Sequence, residues 1–271
     1  MSAQREGSRI GAQRPLVYIT GASSGIGQAL ATVYYRAGWR IAVVARRDTE
    51  LTAWAQAAGF EATRHEVYGA DVRDVAAITQ AGRECITRQG LPDVVIANAG
   101  ISIGMDSAYA QDLEVMRATL ETNVLGMAAT FQPFLTPMCE RGAGTLVGIA
   151  SVAAIRGLPG HGAYCASKAA VINYCESLRG EYKDLGLKVV TLLPGYVATP
   201  LTSKNRYGMP FLMQADAFAE RAFRTIDAGV SYRVIPWQMG VVAKLMRLLP
   251  NALFDRLLSG SPRKQPNALR D

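Results

Sequence analysis

A tyrosine and a lysine stand four residues apart within residues 163–184, a segment predicted to be helical. Because residues four apart share one face of a helix, the side chains of Tyr164 and Lys168 are expected to point the same way. A free tyrosine loses its proton near pH ~10, and a neighbouring ammonium favours the phenolate and lowers that pKa. The two residues can therefore act as an acid and base pair near neutral pH, unless the spacing is a chance surface pair. Ser151 follows a predicted strand, and its hydroxyl can hydrogen-bond a substrate oxygen and orient it.

A glycine-rich segment joins the first predicted strand, Leu16–Thr20, to a helix predicted over residues 26–37. Gly21 allows a tight turn, while Gly25 and Gly27 leave room for a pyrophosphate near the backbone and for the helix to pack on the strand. The helix N-terminus adds N–H groups and a positive dipole end that suit an anion. A plain turn is the alternative, but the position between strand and helix favours a nucleotide cofactor. The predicted contacts are Gly21, Ser23, Ser24, Gly25, Ile26 and Gly27.

The residues that follow the second predicted strand, Arg40 to Ala45, indicate which nucleotide binds. An acidic residue at this position hydrogen-bonds the ribose 2′-hydroxyl of NAD, whereas an arginine can pair with the 2′-phosphate of NADP. Arg46 occupies the position, so the sequence predicts NADP(H), with Arg47 as a second contact. The alternative is that Arg46 is an ordinary solvated residue; Asp48 is in either case predicted to be a helix N-cap.

Polar residues and glycine also follow the third and fourth predicted strands, at residues 64–69 and 93–97. Asp71 and the adjacent Val72 come after the third strand, and the carboxylate could accept a hydrogen bond from an adenine amine. Asn98, Ala99 and Gly100 suit a tight loop after the fourth strand, beside the cofactor. Taken singly, each of these residues is also typical of an ordinary turn.

Strand-like and helix-like segments alternate along the chain, which predicts an α/β fold. The strands are continuous apolar runs, as expected when both faces of a sheet are covered. We therefore expect a single doubly wound Rossmann-type domain with a parallel sheet of about seven strands and helices on both faces. Further predicted strands are 144–150 and 188–193, and further predicted helices are 48–58, 74–88 and 111–140, the last bent or interrupted near Pro133 and Pro137.

These motifs, taken together and in this order, resemble the short-chain dehydrogenase/reductase family, from about Val17 to Thr199. The resemblance is carried by Thr20 to Gly27, Asn98-Ala-Gly100, Ser151, Tyr164-Cys-Ala-Ser-Lys168 and Pro194-Gly195. It implies an NADP(H)-dependent oxidoreductase that interconverts a carbonyl and an alcohol and assembles as a homodimer or homotetramer. Ser24 stands where some NADP-dependent members carry a basic residue.

The resemblance also implies roles for individual residues. Asn123 completes a catalytic tetrad with Ser151, Tyr164 and Lys168, and helps to hold a water in a proton relay with Lys168. Lys168 contacts the nicotinamide ribose. The cofactor contacts implied after the sixth strand and on the catalytic helix are Pro194, Gly195, Val197, Thr199, Tyr164 and Lys168.

Residues 195–215 correspond by the same resemblance to a mobile lid over the substrate. The segment is rich in apolar side chains, among them Tyr196 and Tyr207, which favours a lipophilic substrate. The alternative is that these side chains fill the core beneath the lid. His161 is a second candidate substrate contact, although a structural role in a loop is the simpler interpretation. Ser151, His161, Tyr164 and Tyr196 are the predicted substrate contacts.

Apolar residues recur at near-helical spacing in residues 238–258, with Lys244, Arg247 and Arg256 between them and Pro250 as an interruption. Such a stripe is most often packed, here over the pocket or against another subunit. A basic amphipathic segment on a membrane surface is the alternative.

Composition narrows the remaining function classes. The 271-residue chain has a net charge of +7 and a pI of about 9.4, without the basic and aromatic clusters that indicate nucleic-acid binding. Four dispersed cysteines and two histidines predict neither a metal site nor disulfides, which is consistent with a cytoplasmic setting. We expect residues 15–260 to form the domain and residues 1–14 and 261–271 to be tails.

Three other functions fit parts of this pattern. An epimerase or dehydratase of the extended relatives shares Tyr-x-x-x-Lys but has a longer substrate domain. A scaffold that binds the cofactor without turnover would not need all four residues of the tetrad. The third is a membrane-surface interaction protein.

Overall fold

Nine strands are present in the computed structural model, which describes residues 14–203, 205 and 208–259. Seven of them form one parallel sheet, and the seventh of these, near residue 232, was not located from the sequence. The other two, in the predicted lid, pair only with each other. Their bounds are β1 Leu16–Thr20, β2 Arg40–Ala45, β3 His65–Gly69, β4 Val94–Ala97, β5 Gly144–Ile149, β6 Leu187–Pro194, β7 Val197–Ala198, β8 Met213–Gln214 and β9 Tyr232–Ile235.

Nine α-helices cover this sheet in the described part of the chain. They are α1 Gly25–Arg36, α2 Asp48–Ala57, α3 Val75–Gln89, α4 Asp112–Leu120, α5 Gly126–Arg141, α6 Gly162–Tyr182, α7 Ala215–Asp227, α8 Trp237–Leu248 and α9 Asn251–Leu258. One apolar core joins a face of the sheet to α1, α2 and α7, and a second joins the opposite face to α3, α5 and α6. The predicted doubly wound fold, with helices on both faces of a seven-stranded parallel sheet, is therefore confirmed.

The strand order β3-β2-β1-β4-β5-β6-β9 determines where the predicted site residues lie. β1 pairs with β2 on one side and with β4 on the other, so the chain reverses its direction of winding between β1 and β4. In open α/β sheets a crevice forms at such a point, beyond the carboxyl ends of the strands. The residues predicted to do chemistry follow β1, β2, β4, β5 and β6, and so they meet at that edge.

The helix predicted over 111–140 is interrupted, but not at its prolines as expected. Pro133 and Pro137 lie inside the continuous α5, where the Pro133 ring packs so closely on α3 that a Cβ at Gly82 would lie 2.4 Å from Pro133 Cγ. The interruption is a π-helical turn at Glu121–Leu125, which joins α4 to α5. Its wider turn follows from the bond that Gly126 N–H makes to Glu121 O, five residues back.

The predicted N-cap of α2 is displaced by one residue. Asp48 is the first residue of the helix and Arg47 occupies the cap position, without a side-chain capping bond. The Asp48 carboxylate instead accepts from the neighbouring Thr49 N–H at 2.8 Å, and so it still places a negative charge at the positive end of the helix.

Candidate active site

The glycine-rich segment forms the turn between β1 and α1, as predicted. Gly21 has φ +67°, and a Cβ there would lie 2.7 Å from Ala99 Cα. A Cβ on Gly27 would lie 2.3 Å from Gly21 O, so α1 can pack on this turn only because residue 27 has no side chain. The N-terminus of α1 therefore faces the crevice with its backbone N–H groups close to any ligand.

Asn98 fastens the end of β4 to this turn. Its side-chain amide donates to Thr20 O at 3.0 Å and to Gly21 O at 3.1 Å. Its backbone N–H donates to Thr20 Oγ1 at 3.2 Å. The Asn98 side chain therefore shapes the turn, because its amide donates to two backbone carbonyls there.

A cavity of about 460 Å³ lies in the crevice beside the turn. Every predicted cofactor contact lines it except Gly27, which packs behind the turn. Those lining residues are Gly21, Ser23, Ser24, Gly25, Ile26, Arg46, Arg47, Asp71, Val72, Asn98, Ala99, Gly100, Tyr164, Lys168, Pro194, Gly195, Val197 and Thr199. Sequence reasoning missed Arg73, Ile101, Thr122 and Pro200, of which only Arg73 carried a signal, as a basic residue two positions after Asp71.

The charged groups of this cavity differ in how firmly they are paired. Arg73 Nη2 binds the Asp71 carboxylate at 2.8 Å, and Arg47 Nη1 binds Glu50 at 3.1 Å. Burial alone would raise the pKa of Asp71, but the hydrogen bonds and charge of Arg73 hold it below its ordinary value. The Arg46 side chain is 64% exposed, and its ion pair with Asp71 is long, at 4.0 Å. Arg46 is therefore the cation of this cavity that an anionic ligand can engage with the least rearrangement.

Ser151, Tyr164 and Lys168 converge at the carboxyl end of β5. Ser151 is the residue before a short 3₁₀ turn at Val152–Ala154 and accepts from Ala153 N–H at 3.2 Å. Lys168 is buried, and its Nζ donates to Ile149 O at 2.8 Å. That Nζ lies 5.9 Å from the centre of the Tyr164 ring. The helical spacing therefore brings the tyrosine and the lysine to one place, as predicted.

The proton affinities of this pair differ from the sequence expectation. Burial raises the pKa of Tyr164 above its usual value, and a hydrogen bond with Ser151 acts in the opposite direction. Burial lowers the pKa of Lys168 to about 8. The expected net lowering of the tyrosine pKa is therefore wrong for the protein's own side chains, because desolvation of the phenolate outweighs the hydrogen bond with Ser151.

Asn123 lies in the π-helical turn and is almost fully buried. Its side-chain oxygen accepts from Ile101 N–H at 2.8 Å, while its amide donates to Ile101 O at 3.0 Å and to Ser167 Oγ at 2.9 Å. Asn123 lines neither cavity, and these bonds tie together three segments around Lys168. A water held by Asn123 stays a prediction.

A second, apolar cavity of about 300 Å³ adjoins the first. The four predicted substrate contacts all line it. His161 is buried, and its Nδ1 lies 3.2 Å from Pro159 O, so the ring both supports its loop and faces the cavity. The α8 and α9 helices also contribute side chains to the lining of this cavity. The lining residues include Ser151, Ile155, Leu158, His161, Tyr164, Tyr196, Leu201, Met239, Val242, Ala243, Met246 and Leu258.

The predicted lid lies at the mouth of this cavity. The β7 and β8 strands pair within residues 195–215, so Val197 sits beside Met213 and both side chains are buried. Tyr196 and the partly exposed Leu201 line the cavity, whereas the exposed Phe211 and Leu212 do not. Some apolar side chains of this segment therefore line the cavity and others fill the core, so each of the two interpretations holds for part of the segment. Tyr207 lies outside the described residues.

Arg156 connects the loop after Ser151 to the C-terminal helices. Its guanidinium donates to the carbonyls of Met246 and Leu249, the latter at 2.8 Å, and to Asn251 Oδ1 at 3.0 Å. It also stacks 3.7 Å above the ring of Phe254. Arg156 and these hydrogen-bond acceptors are at least 90 residues apart in the sequence, so local sequence patterns gave no signal for the contacts. They fix the wall that α8 and α9 present to the apolar cavity.

Comparison with known proteins identifies this arrangement. The family model of the short chain dehydrogenases matches residues 15–209, which include every motif described above. The chain belongs to the short-chain dehydrogenase family. It is 40% identical over 240 residues to a Myxococcus xanthus (strain DK1622) protein named an uncharacterized oxidoreductase, covering 88% of this chain and 93% of that protein.

Two further proteins to which the chain is similar have more specific names. An acetoacetyl-CoA reductase of Acinetobacter sp. (strain RA3849) is 30% identical over 227 residues, covering 82% of this chain and 91% of that protein. The X-ray structure of an alcohol dehydrogenase from the archaeon Thermococcus sibiricus, complexed with 5-hydroxy-NADP, is 26% identical with a TM-score of 0.73. That match covers 82% of this chain and 96% of the archaeal one. The chain is thus an oxidoreductase of the short-chain dehydrogenase type.

Proposed function

We propose that this chain is an NADP(H)-dependent oxidoreductase that interconverts a carbonyl group and an alcohol on a lipophilic small molecule. The observation that carries the proposal is the meeting of the two cavities. Ser151 and Tyr164 line both the polar cavity beside the glycine turn and the apolar cavity under α8. A hydride carrier in the first cavity and a carbonyl in the second would meet at these two hydroxyl groups.

The polar cavity fits a dinucleotide. The glycine turn offers a helix N-terminus to a pyrophosphate, and the close approach at Gly21 and Gly27 leaves no room for side chains there. Arg46 and Arg73 supply positive charge near the end of β2, where a 2′-phosphate would lie. The archaeal alcohol dehydrogenase, named as a complex with 5-hydroxy-NADP, supports the choice of NADP(H) over NAD(H).

In the proposed reaction the bound NADPH supplies the hydride to the carbonyl carbon. Tyr164 gives its phenolic proton to the carbonyl oxygen, and in the reverse direction the phenolate takes the proton from the alcohol. Ser151 holds that oxygen by a hydrogen bond. Tyr164 is protonated at neutral pH, since its pKa lies above the ordinary value of ~10, and so it carries the proton that the reduction needs.

The apolar cavity favours a lipophilic carbonyl compound. Its lining is mostly apolar and includes aliphatic and methionine side chains of α8 and α9, and Ser151, His161 and Tyr164 are among its polar groups. Binding sites with this balance take mostly apolar ligands and orient them through a few polar contacts.

The proposal is tested by following NADPH oxidation by the full chain with a panel of ketones, aldehydes and quinones. We expect turnover on one class, a fall of at least about 100-fold in kcat for Tyr164→Phe, and an unchanged Kd for NADPH. Tyr174→Phe, which removes a hydroxyl from the same helix away from both cavities, is the matched control. Retained turnover in Tyr164→Phe, or loss of turnover in the control alone, would contradict the assigned roles.

A further inference from the structure

The outward surface of the two C-terminal helices exposes a row of large apolar side chains. Trp237 is 64% exposed and Leu248 is 80% exposed, although both are large apolar residues. On α8 the exposed residues recur every three or four positions and therefore form one stripe along the helix. We group the four exposed residues of α8, which are Trp237, Val241, Leu245 and Leu248, with the exposed Leu253 and Leu257 of α9, and call the set the outer stripe.

The outer stripe is separate from the apolar side of α8 that faces the protein. Met239, Val242 and Met246 point inward and line the apolar cavity. A surface helix is usually apolar on one face and polar on the other. Here α8 is apolar on both faces, and no residue of the described ranges covers the outer one. An exposed apolar row of this kind along one helix indicates a surface that contacts something else.

The charges around the outer stripe indicate the kind of partner. Residues 228–259 carry the basic residues Arg233, Lys244, Arg247 and Arg256 and a single acidic residue, Asp255. Lys244 and Arg247 alternate with stripe residues along α8 and are exposed. An apolar stripe with a tryptophan and flanking basic side chains is the pattern of helices that lie in the surface of an anionic bilayer.

A second copy of the chain fits this surface less well. A two-fold contact would place the same patch on both sides, so Lys244 and Arg247 of each copy would lie near those of the other. Only Asp255 within this segment could offset that repulsion.

We propose that the outer stripe of α8 and α9 docks onto the surface of a membrane that contains anionic lipids. The contact is peripheral, because none of the described helices is long and apolar enough to cross a bilayer. The stripe enters the interfacial region, while Lys244, Arg247 and Arg256 face the lipid headgroups. This inference goes beyond the proposed reaction and does not depend on it.

Vesicle flotation of the full-length chain tests the proposal without any substrate. One set of vesicles contains phosphatidylcholine alone, and the other contains phosphatidylcholine with phosphatidylserine. We expect the chain to float with the anionic vesicles, to float much less with the neutral ones, and to be partly released by high salt, which screens the attraction to the headgroups.

Two pairs of variants separate this surface from general changes in charge or solubility. Leu245→Glu/Leu248→Glu is expected to weaken partitioning by about tenfold or more, whereas Leu113→Glu/Leu185→Glu, at exposed leucines elsewhere, is expected to leave it unchanged. Lys244→Gln/Arg247→Gln is likewise expected to reduce binding by about tenfold or more, against Arg83→Gln/Arg179→Gln as control. Circular dichroism and thermal unfolding verify that each variant is folded, and the glutamine pair decides the test where a glutamate pair does not fold.

Three results would overturn the proposal. The first is absence of flotation by the wild-type chain, and the second is equal binding to neutral and anionic vesicles. The third is a self-association, measured by sedimentation velocity, that Leu245→Glu/Leu248→Glu abolishes while flotation is unaffected, since the stripe would then be an interface between copies of the chain.

Discussion

The side-chain amide of Asn123 donates a 2.9 Å hydrogen bond to Ser167 Oγ, and both residues are fully buried. Ser167 lies on α6 between Tyr164 and Lys168, and its hydroxyl donates in turn to Tyr164 O at 2.8 Å. The π-helical turn that carries Asn123 is thereby fastened to the helix that carries the proposed acid. Ser167 is thus a positioning residue, because it acts on Tyr164 through the backbone and does not line either cavity.

Ser167→Ala is expected to lower both stability and turnover. It leaves the Asn123 amide with one bond fewer in a buried place, which costs about 1–3 kcal/mol of unfolding free energy. We expect kcat to fall more than KM changes, because the tyrosine shifts while the apolar cavity remains. Urea unfolding and steady-state kinetics check this, with Ser177→Ala at an exposed site on α6 as control. Ser167→Ala behaving like that control would show that the bond does not position Tyr164.

Much of the fold follows from local patterns in the sequence. β1, β2, β4, β5 and β6 are mostly apolar runs, whereas β3 contains His65 and Glu66. Helix boundaries are marked by residues such as Gly38 and Asp74, so most of the order of elements could be predicted. The site follows from the same order, since residues just after parallel strands must meet at one edge of the sheet. Three strands were not predicted. They are the edge strand β9, whose apolar pattern is interrupted by the exposed Tyr232 and Arg233, and the two-residue strands β7 and β8.

What the sequence did not predict depends on contacts between distant segments. The π-helical turn forms where Asn123 reaches the backbone of Ile101, and residue spacing along the helix carries no mark of that contact. The raised pKa of Tyr164 likewise depends on burial in the folded chain. The type of a residue determines which chemistry its side chain can perform. The packing of the folded chain determines the pKa of that side chain and its hydrogen-bond partners.

Arg46 and Arg47 are adjacent in the sequence, and we expect Arg46→Ala and Arg47→Ala to differ in their effect on NADPH binding. Arg46 is loosely paired, whereas Arg47 is engaged by Glu50 at 3.1 Å. Loss of a charge-assisted contact of about 1.5–3 kcal/mol in Arg46→Ala should raise the Kd for NADPH at least about tenfold. The Kd for NADH should change little, since NADH lacks the 2′-phosphate. Isothermal titration with both nucleotides checks this, and an equal loss for Arg47→Ala or for NADH would argue against the assigned contact.

The buried Lys168 is expected to leave a signature in the pH dependence of stability. Its pKa is about 8 in the folded chain, below the value of ~10.4 for an unfolded lysine. Between these values the unfolded state binds more protons, so the contribution of Lys168 to stability rises as the pH increases from 8 to about 10. The unfolding free energy of the wild type should therefore increase relative to that of Lys168→Met over this range. Lys188→Met, at an exposed position on β6, controls for general alkaline effects, and a constant difference across the range would refute the shift.

Arg156→Ala is expected to loosen the wall of the apolar cavity. The guanidinium donates hydrogen bonds to the carbonyls of Met246 and Leu249 at the end of α8, and it packs on Phe254 of α9. Its removal therefore takes contacts away from both helices. Charge-assisted hydrogen bonds of this kind contribute about 1.5–3 kcal/mol each, and a half-buried arginine should deliver the lower end of that range.

We therefore expect Arg156→Ala to unfold at a lower temperature and to lose discrimination among substrates of different size. The KM for the best carbonyl substrate should rise while the Kd for NADPH stays the same, because the polar cavity does not contact Arg156. Arg156→Lys keeps the charge but not the forked geometry, so it should recover only part of both properties. Arg179→Ala, at an exposed position on α6, is the control. Equal behaviour of Arg156→Ala and this control would mean that α8 and α9 hold their place through apolar packing alone.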